Sequence, residues 1–558
     1  MAEPGLMTAE APGAAPATGF NPRLAPFVVF LGKAAQAMRR HKAAHRKLWL
    51  EAAAELYALE DDALDAMARD MSILGDGPRA VEMAEYLAEI FPANARAHFR
   101  LAHARQSVGD ARGALAPLRR SIALNPDLSH ARNNLAAALM SLDGPAEEIL
   151  SLLEAAAAAD PSQAEPWINL ATQKLRVFDL DYALMAGERA VALAPNSALA
   201  CNNYFQALKE AKRWDEAEPL IDRAVALSGG EAVYCLNRGL LHLLRGKYAS
   251  GWEGFESRWA INPEKLQARP VVGGQPWRGE PLAGKTLLLW GEEGNGDVIQ
   301  FSRFAPRLAE QVHAQGGRLI WNSFPQFGDL LARSLGHHVD GYVTGGIPLL
   351  PPFDYEISLL NLPRLFGIDD ETLGAPSPYL KADPALREQW RQRLASDRGL
   401  KVGLAWTGSP EQPRNPFRSV DLARYAAHLG GLKGVSFYSL QVGGGDVVRA
   451  AQIKGFDIVD PTDTFATYDD TAAFVDNLDL VITICTSVAH LAGALAKPTW
   501  ILLDVNAHWV WRLDRPDSLW YPTVRLYRQR RFGDWTPVFD DVARDLANLA
   551  GGRQSDAD

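Results

Sequence analysis

Pro92, Pro126, Pro161 and Pro195 stand 34, 35 and 34 residues apart, each between two stretches whose apolar residues recur with helical spacing. Gly229 continues the series. A proline ring blocks the turn before it, so prolines at a fixed interval divide the chain into helical units of one length. Small and large apolar residues fall at matching offsets: Leu101, Ala102, Gly109, Ala114 and Leu118 in one unit, Trp167, Leu170, Ala171, Ala183 and Ala190 in the next but one. Small residues at such offsets let helices touch. No single unit can bury its own apolar face, so the pattern demands a stacked array.

A helix-turn-helix unit of this period resembles the tetratricopeptide repeat, over about Pro78 to Trp259. The resemblance implies a superhelix whose concave face binds a peptide or protein segment. Asn133, Asn134, Asn169, Gln173, Asn202, Asn203, Gln206 and Asn237 recur in the first helices of successive units. Side-chain amides both donate and accept, so Asn134, Asn169 and Asn203 are candidates for gripping an acceptor backbone. The alternative is a solvated helix face. Upstream, two helical stripes between Pro26 and Ser72 lead into the array, and residues 1–25, rich in Ala, Pro and Gly, read as a disordered tail. That tail lacks a secretion signal's basic start and apolar centre. At the other end Trp252, Phe255 and Trp259 are expected to cap the array or fasten it to the next domain.

Past a Gly/Pro-rich linker the period changes. Thr286–Trp290, Arg318–Trp321, Tyr342–Thr344 and Tyr355–Ile357 read as strands between helices such as Phe304–Gln315 and Phe324–Leu335. From Lys401 a second set begins: KVGLAW, VSFYSL, FDIVD, LDLVITI and PTWILLD. Two successive βα runs imply two Rossmann-like halves facing across a cleft. A net charge of -10 argues against nucleic acid as a partner, since counterion exchange needs a basic footprint. No apolar run is long enough to propose a membrane span. The three cysteines, Cys201, Cys235 and Cys485, fit neither a disulfide framework nor metal-ligand spacing, which suits a reducing cytoplasm. Cys201 and Cys235, 34 residues apart, are expected at equivalent small buried positions.

Within the first half, LLLWGEEGNGDVIQFSR (287–303) reads as strand, glycine-rich turn, helix. Gly294, Asn295 and Gly296 leave room for a close approach, and Asp297 arrives at a helix start beyond a strand's carboxyl end. It is either a catalytic carboxylate or a helix cap. The second half offers Thr407, Gly408 and Ser409 after VGLAW, then Arg414 and Arg418 in EQPRNPFRS, Gln441 after FYSL, and Thr486, Ser487 and His490 after LVITI. Thr486 and Ser487 would open a helix whose free N–H groups favour a phosphate. The competing reading is an ordinary Ser/Thr cap with a packed histidine.

GEEGNGDVIQFSRFAP, VGLAWTGSP, FRSV, SLQ, DDTAAFVDNLDLVITICTSVAHLAGALAKPTWILL and WYPTVRLYRQ with GDW resemble, in order, the GT-B glycosyltransferases related to bacterial heptosyltransferases. Joined to the repeats, they resemble bacterial protein O-glycosyltransferases, most of all those that modify flagellin, and more distantly the O-GlcNAc transferases. The resemblance implies an all-α tetratricopeptide-repeat superhelix followed by an α/β GT-B fold. The implied layout is a tail 1–25, an acceptor-binding array 26–259, a linker 260–281, an acceptor-side half 282–395, a nucleotide-sugar half 396–550 and a tail 551–558. It further implies Asp297 as the base that activates a Ser or Thr hydroxyl. Thr407, Gly408, Arg414, Arg418, Gln441, Thr486, Ser487 and His490 would hold the donor, in an inverting reaction needing neither metal nor cofactor, because a helix N-terminus and a cation can hold the leaving phosphate.

One departure bears on the donor. Relatives usually carry Asp where this chain has Cys485. Loss of that carboxylate removes repulsion toward an acidic donor, and the reading that fits best is a CMP-activated nonulosonic acid whose carboxylate pairs with Arg414 or Arg418. The expected partners are a nucleotide sugar and a protein acceptor, flagellin first, in the cytoplasm. Two other readings stand beside this one: a catalytically degenerate sugar-nucleotide-binding scaffold, and a glycan-directed enzyme, against which the long array weighs.

Overall fold

The computed structural model describes residues 77–261, 275–292, 294–345, 349–373 and 377–555. The tail 1–25, the helices expected before 72 and most of the linker 260–281 lie outside the described residues. By compactness the chain divides after Pro195.

The first unit is built of helices Gly77–Ile90, Ala95–Ser107, Ala111–Leu124, Ser129–Ser141, Ala146–Ala159, Ala164–Arg176 and Leu180–Leu193, joined by short turns. Pro92, Pro126 and Pro161 occupy the turns between repeats, as expected. Ala102, Ala114, Ala136, Ala171, Ala183 and Ala190 are fully buried, which lets neighbouring helices approach closely. These are tetratricopeptide-type helix pairs. Inside each pair the connecting turn needs one left-handed residue, at Gly109 (φ 81°), Asp143 (51°) and Phe178 (62°), and again at Lys212 (60°) and Gly246 (78°) in the second unit. Only two of the five are glycine. Packing of the pair imposes a conformation that costs a side-chain-bearing residue of order 1 kcal/mol.

The second unit opens with array helices Ala198–Glu210, Trp214–Leu227, Ala232–Arg245, Tyr248–Phe255 and Arg258–Ile261 and continues into two all-parallel sheets. The expected layout ends one domain at residue 259, whereas compactness divides the chain inside the array. The reason is a core that the last array helices share with the α/β region. The Trp252 indole donates to the Ile368 carbonyl (2.9 Å) and meets Trp509 edge-on (5.2 Å), and Trp259 lies 5.8 Å from Trp290. Burying a side chain as large as Trp252 contributes roughly 3 kcal/mol. The aromatic cluster thus fastens the array end to the sheets. Cys201 is buried as expected, but Cys235 is only half-buried, so the two repeat-related positions are not equivalent.

The first sheet contains β1 (Gln275–Pro276), β2 (Thr286–Trp290), β3 (Arg318–Ser323), β4 (Gly341–Thr344) and β5 (Tyr355–Ser358), in the order β1-β5-β2-β3-β4. The second contains β6 (Leu400–Ala405), β7 (Val435–Ser439), β8 (Ile458–Val459), β9 (Leu480–Ile484), β10 (Thr499–Leu503) and β11 (Val524–Arg528), in the order β11-β10-β9-β6-β7-β8. β9 and β10 are buried at every residue, as strands covered on both faces must be. β1 and β11 are strands the periodicity did not predict. The segment read as one helix over 324–335 is a short 3-10 turn, Pro325–Phe327, followed by the helix Leu330–Leu335. The last helix runs from Thr536 to Ser555, so it includes most of the stretch expected to be a tail.

Candidate functional site

Chain order reverses direction across each sheet at one place, and there the loops leaving adjacent strands diverge to open a crevice. In the first sheet that place is β2 beside β5, and the loop leaving β2 carries Gly294 to Asp297. In the second it is β6 beside β9. The loops leaving β6 and β9 carry Thr407–Gly408 and Cys485–Ser487.

The helices that leave the two switch points touch near their starts. The helix Asn295–Ser302 packs on the helix Ser487–Ala494, N-terminus near N-terminus. A methyl on Gly296 would stand 3.3 Å from the Ser487 Cα and 3.2 Å from His490 Cδ2. Gly296 thus permits a close approach between halves. Asp297, half-buried in the first turn, accepts the Gly294 N–H at 3.1 Å, as a helix cap does. Its negative charge reaches Cys485, where it adds to a thiol pKa raised mainly by burial.

On the opposite side Thr486 is the residue before the Ser487–Ala494 helix, and its side chain makes no cap bond to it; its hydroxyl lies 3.3 Å from that of Thr483. Ser487 Oγ accepts from the Tyr468 hydroxyl (2.7 Å). The Arg418 guanidinium donates to the Cys485 carbonyl at 2.6 Å, which brings a cation to the start of this helix. Gly408 makes room for it, because any side chain there would overlap the guanidinium. Asn415 braces the loop: its Oδ1 accepts from Gly408 N (3.0 Å) and Arg418 Nε (3.3 Å), and its Nδ2 donates to Thr407 Oγ1 (3.2 Å). Thr407, Gly408, Arg418, Thr486 and Ser487 therefore share one edge with Asp297.

Three residues assigned to the donor are placed differently. Arg414 is held by carboxylates, with Nη1 on Glu210 Oε1 at 2.5 Å and Nη2 at 3.3 Å from Asp504, so its charge is already neutralised. Gln441 Oε1 accepts from the backbone of Trp406 (3.3 Å) and Thr407 (3.1 Å) and braces the β6 loop. His490 is packed inward, stacked on Trp511 (5.3 Å) and hydrogen-bonded to the Tyr521 hydroxyl (3.0 Å). Burial, with His508 and the Arg303 and Arg418 charges adding, pushes its pKa down to about 3. It is neutral at physiological pH. Cys485 is no open loop position: its thiol sits buried beneath Trp511, whose indole N–H points at Sγ (3.1 Å).

The sequence pattern did not single out Asn415, Glu210, Asp504 or His508. Asn415 was detectable as the one amide between the two loop arginines. His508, in the loop after β10, has its pKa lowered to about 4 by burial and by Arg418 and Arg414. Nothing in the chain order joins it to them.

In the array the asparagines form ladders. Within the first unit Asn169 Nδ2 donates to Asn133 Oδ1 (2.9 Å), which leads on to Asn134 (3.4 Å); within the second Asn237 donates to Asn202 (2.9 Å), which leads on to Asn203 (3.3 Å). These amides are aligned across repeats rather than scattered over a wet face.

No family model matches the chain. It is 28% identical over 450 residues, covering 76% of this chain and 74% of the other, to Protein FlbA of Caulobacter vibrioides. Among solved structures, YrrB, described as a TPR protein with an unusual peptide-binding site, aligns with 33% of this chain and 95% of its own at 19% identity and a TM-score of 0.27. Pseudomonas aeruginosa PilF aligns with 37% of this chain and 96% of its own at 19% identity and a TM-score of 0.32.

Proposed function

We propose that the chain is a protein O-glycosyltransferase of GT-B type, in which the repeats recruit a protein acceptor and the two sheets transfer a sugar to its Ser or Thr. The observation that carries this reading is the contact of the two helices near their starts: a carboxylate on one helix start, Asp297, and a second helix start flanked by Arg418, Thr486 and Ser487. Asp297 takes the proton of the acceptor hydroxyl as its oxygen attacks the anomeric carbon, and the nucleotide phosphate leaves toward the Ser487–Ala494 helix and Arg418. The acceptor we favour is flagellin, and the donor a CMP-activated nonulosonic acid. With Arg414 engaged by Glu210 and Asp504, the sugar carboxylate falls to Arg418 alone. Titration of the full chain with CMP, UDP and ADP tests the donor, and preference for UDP or ADP would reject CMP. Asp297→Asn should abolish transfer to purified flagellin while leaving nucleotide affinity unchanged; retained turnover would remove Asp297 as the base.

A non-catalytic nucleotide-binding scaffold is the second reading. Cys485, held as a neutral thiol under Trp511 beside Asp297, favours it. Tight nucleotide binding with no donor turnover in the presence of flagellin would select it.

A further inference from the structure

Two loops carry the chemistry proposed above, and each is held by a charged side chain from the array helices of the second unit. Glu210, 3% exposed at the end of the helix Ala198–Glu210, receives Arg414 Nη1 (2.5 Å) and Asn506 Nδ2 (2.8 Å). Arg414 is the residue before the single helical turn Asn415–Arg418, and that turn ends on the Arg418 that grips the Cys485 carbonyl. A continuous line of contacts therefore runs from Glu210 through Arg414 and Arg418 to the start of the Ser487–Ala494 helix. Arg258, 6% exposed in the helix Arg258–Ile261, forks onto Glu292 with Nη2 on Oε1 at 2.6 Å and Nε on Oε2 at 3.3 Å. Its Nη2 also reaches Asn361 Oδ1 (2.6 Å), and Ser358 Oγ donates to the same Glu292 carboxylate. Glu292 lies in the loop between β2 and Asp297, so this fork fixes where that loop leaves the sheet.

We infer that Glu210 and Arg258 are positioning residues for the two halves of the site: Glu210 sets the donor loop through Arg414, and Arg258 sets the Asp297 loop through Glu292. This rests on the glycosyl-transfer reading for its kinetic consequences but not for its structural ones. Buried charged pairs with matched geometry specify a unique arrangement, because shifting either partner leaves a charge desolvated and unpaired. Arrangement matters here because displacements on the ångström scale reduce turnover steeply. Repeats that touch the acceptor and also fix both loops are part of the catalytic body rather than a detachable adapter.

The test uses the full chain with Glu210→Gln and Arg258→Met, and with Glu210→Asp and Arg258→Lys in case either first variant does not fold. Lysine keeps the charge of Arg258 but not its fork. Hydrogen exchange should rise in 407–419 but not in 291–297 for Glu210→Gln, and the reverse for Arg258→Met. Under transfer conditions Glu210→Gln should raise the donor KM about tenfold with little change in kcat, and Arg258→Met should lower kcat about 10- to 100-fold with donor KM unmoved. Equal exchange in both loops for either variant, or a uniform loss of kcat and donor affinity that tracks the melting temperature, would reduce both residues to scaffold and overturn the inference. If the wild-type chain transfers no sugar, the glycosyltransferase reading fails by itself, and the exchange pattern still decides the positioning role.

Discussion

Gly296 and Ser487, from opposite halves of the α/β region, approach so closely that a Cβ on Gly296 would stand 3.3 Å from the Ser487 Cα. The same Cβ would lie 3.2 Å from the His490 ring, which Trp511 and Tyr521 hold in place and which therefore cannot swing aside. Gly296→Ala must push the two helix starts apart by tenths of an ångström. Overpacking of this kind costs about 1 kcal/mol, so the variant folds, with a slightly lower melting temperature. On the proposed function, transfer should fall about tenfold or more, because the proposed base and the proposed phosphate site separate. Wild-type turnover in Gly296→Ala would mean the two starts do not act together.

Replacing Cys485 with the aspartate usual in the resembled family should cost stability. The side chain is 8% exposed, and Asp297 and Asp504 already make its surroundings more negative, opposed by Arg418. A carboxylate there could accept the Trp511 indole N–H that now points at Sγ, but one such bond does not offset the desolvation of a buried charge. Cys485→Asp should destabilise the α/β region by roughly 2–4 kcal/mol, read by urea denaturation. A change under about 0.5 kcal/mol, the scale of an ordinary surface substitution, would show that the pocket admits charge.

The buried histidines predict a pH dependence of stability. His490 and His508 have folded pKa values of about 3 and about 4, against an ordinary value near 6.5. Between about pH 4 and 6.5 the unfolded chain binds protons at both that the folded chain does not, so stability rises with pH there, by up to about 1.4 kcal/mol per pH unit for each histidine. Their contribution is complete above 6.5 and is lost on acidification through that window. His508→Asn should flatten the slope of melting temperature between about pH 4.5 and 6.5, and an unchanged slope would exclude His508 as a source.

Helix contact at the end of the array offers a cleaner stability test. A Cβ on Gly239 would come within 2.8 Å of the Gly254 backbone, and backbone cannot rotate away. Gly239→Ala should force the helices Ala232–Arg245 and Tyr248–Phe255 apart and cost about 1–3 kcal/mol by thermal or urea melting, despite alanine's higher helix propensity. A stabilised variant would contradict this contact.

Periodicity alone revealed the array, because every repeat must bury the same small residues against its neighbours, and Ala102, Ala171 and Ala190 had to recur. The same logic exposed most strands, whose apolar runs are long enough to read. β1, only two residues long, carries too little pattern to detect, and in β11 Arg525 and Arg528 interrupt the apolar residues without a clean alternation, beside a loop rich in aromatics. The left-handed turns at Phe178 and Lys212 were invisible because their residue types disfavour that conformation, and only pair packing demands it.

By itself, then, the sequence determined that helical repeats precede two βα halves and that Asp297 and Thr486–Ser487 each stand at a helix start beyond a strand. Strand order and long-range charge pairing were decided by the tertiary structure. Local pattern fixes what each segment is, but which carboxylate meets Arg414, and whether His490 faces a ligand or a tryptophan, depends on side chains brought together from distant parts of the chain, where burial makes an unpaired charge too costly to leave.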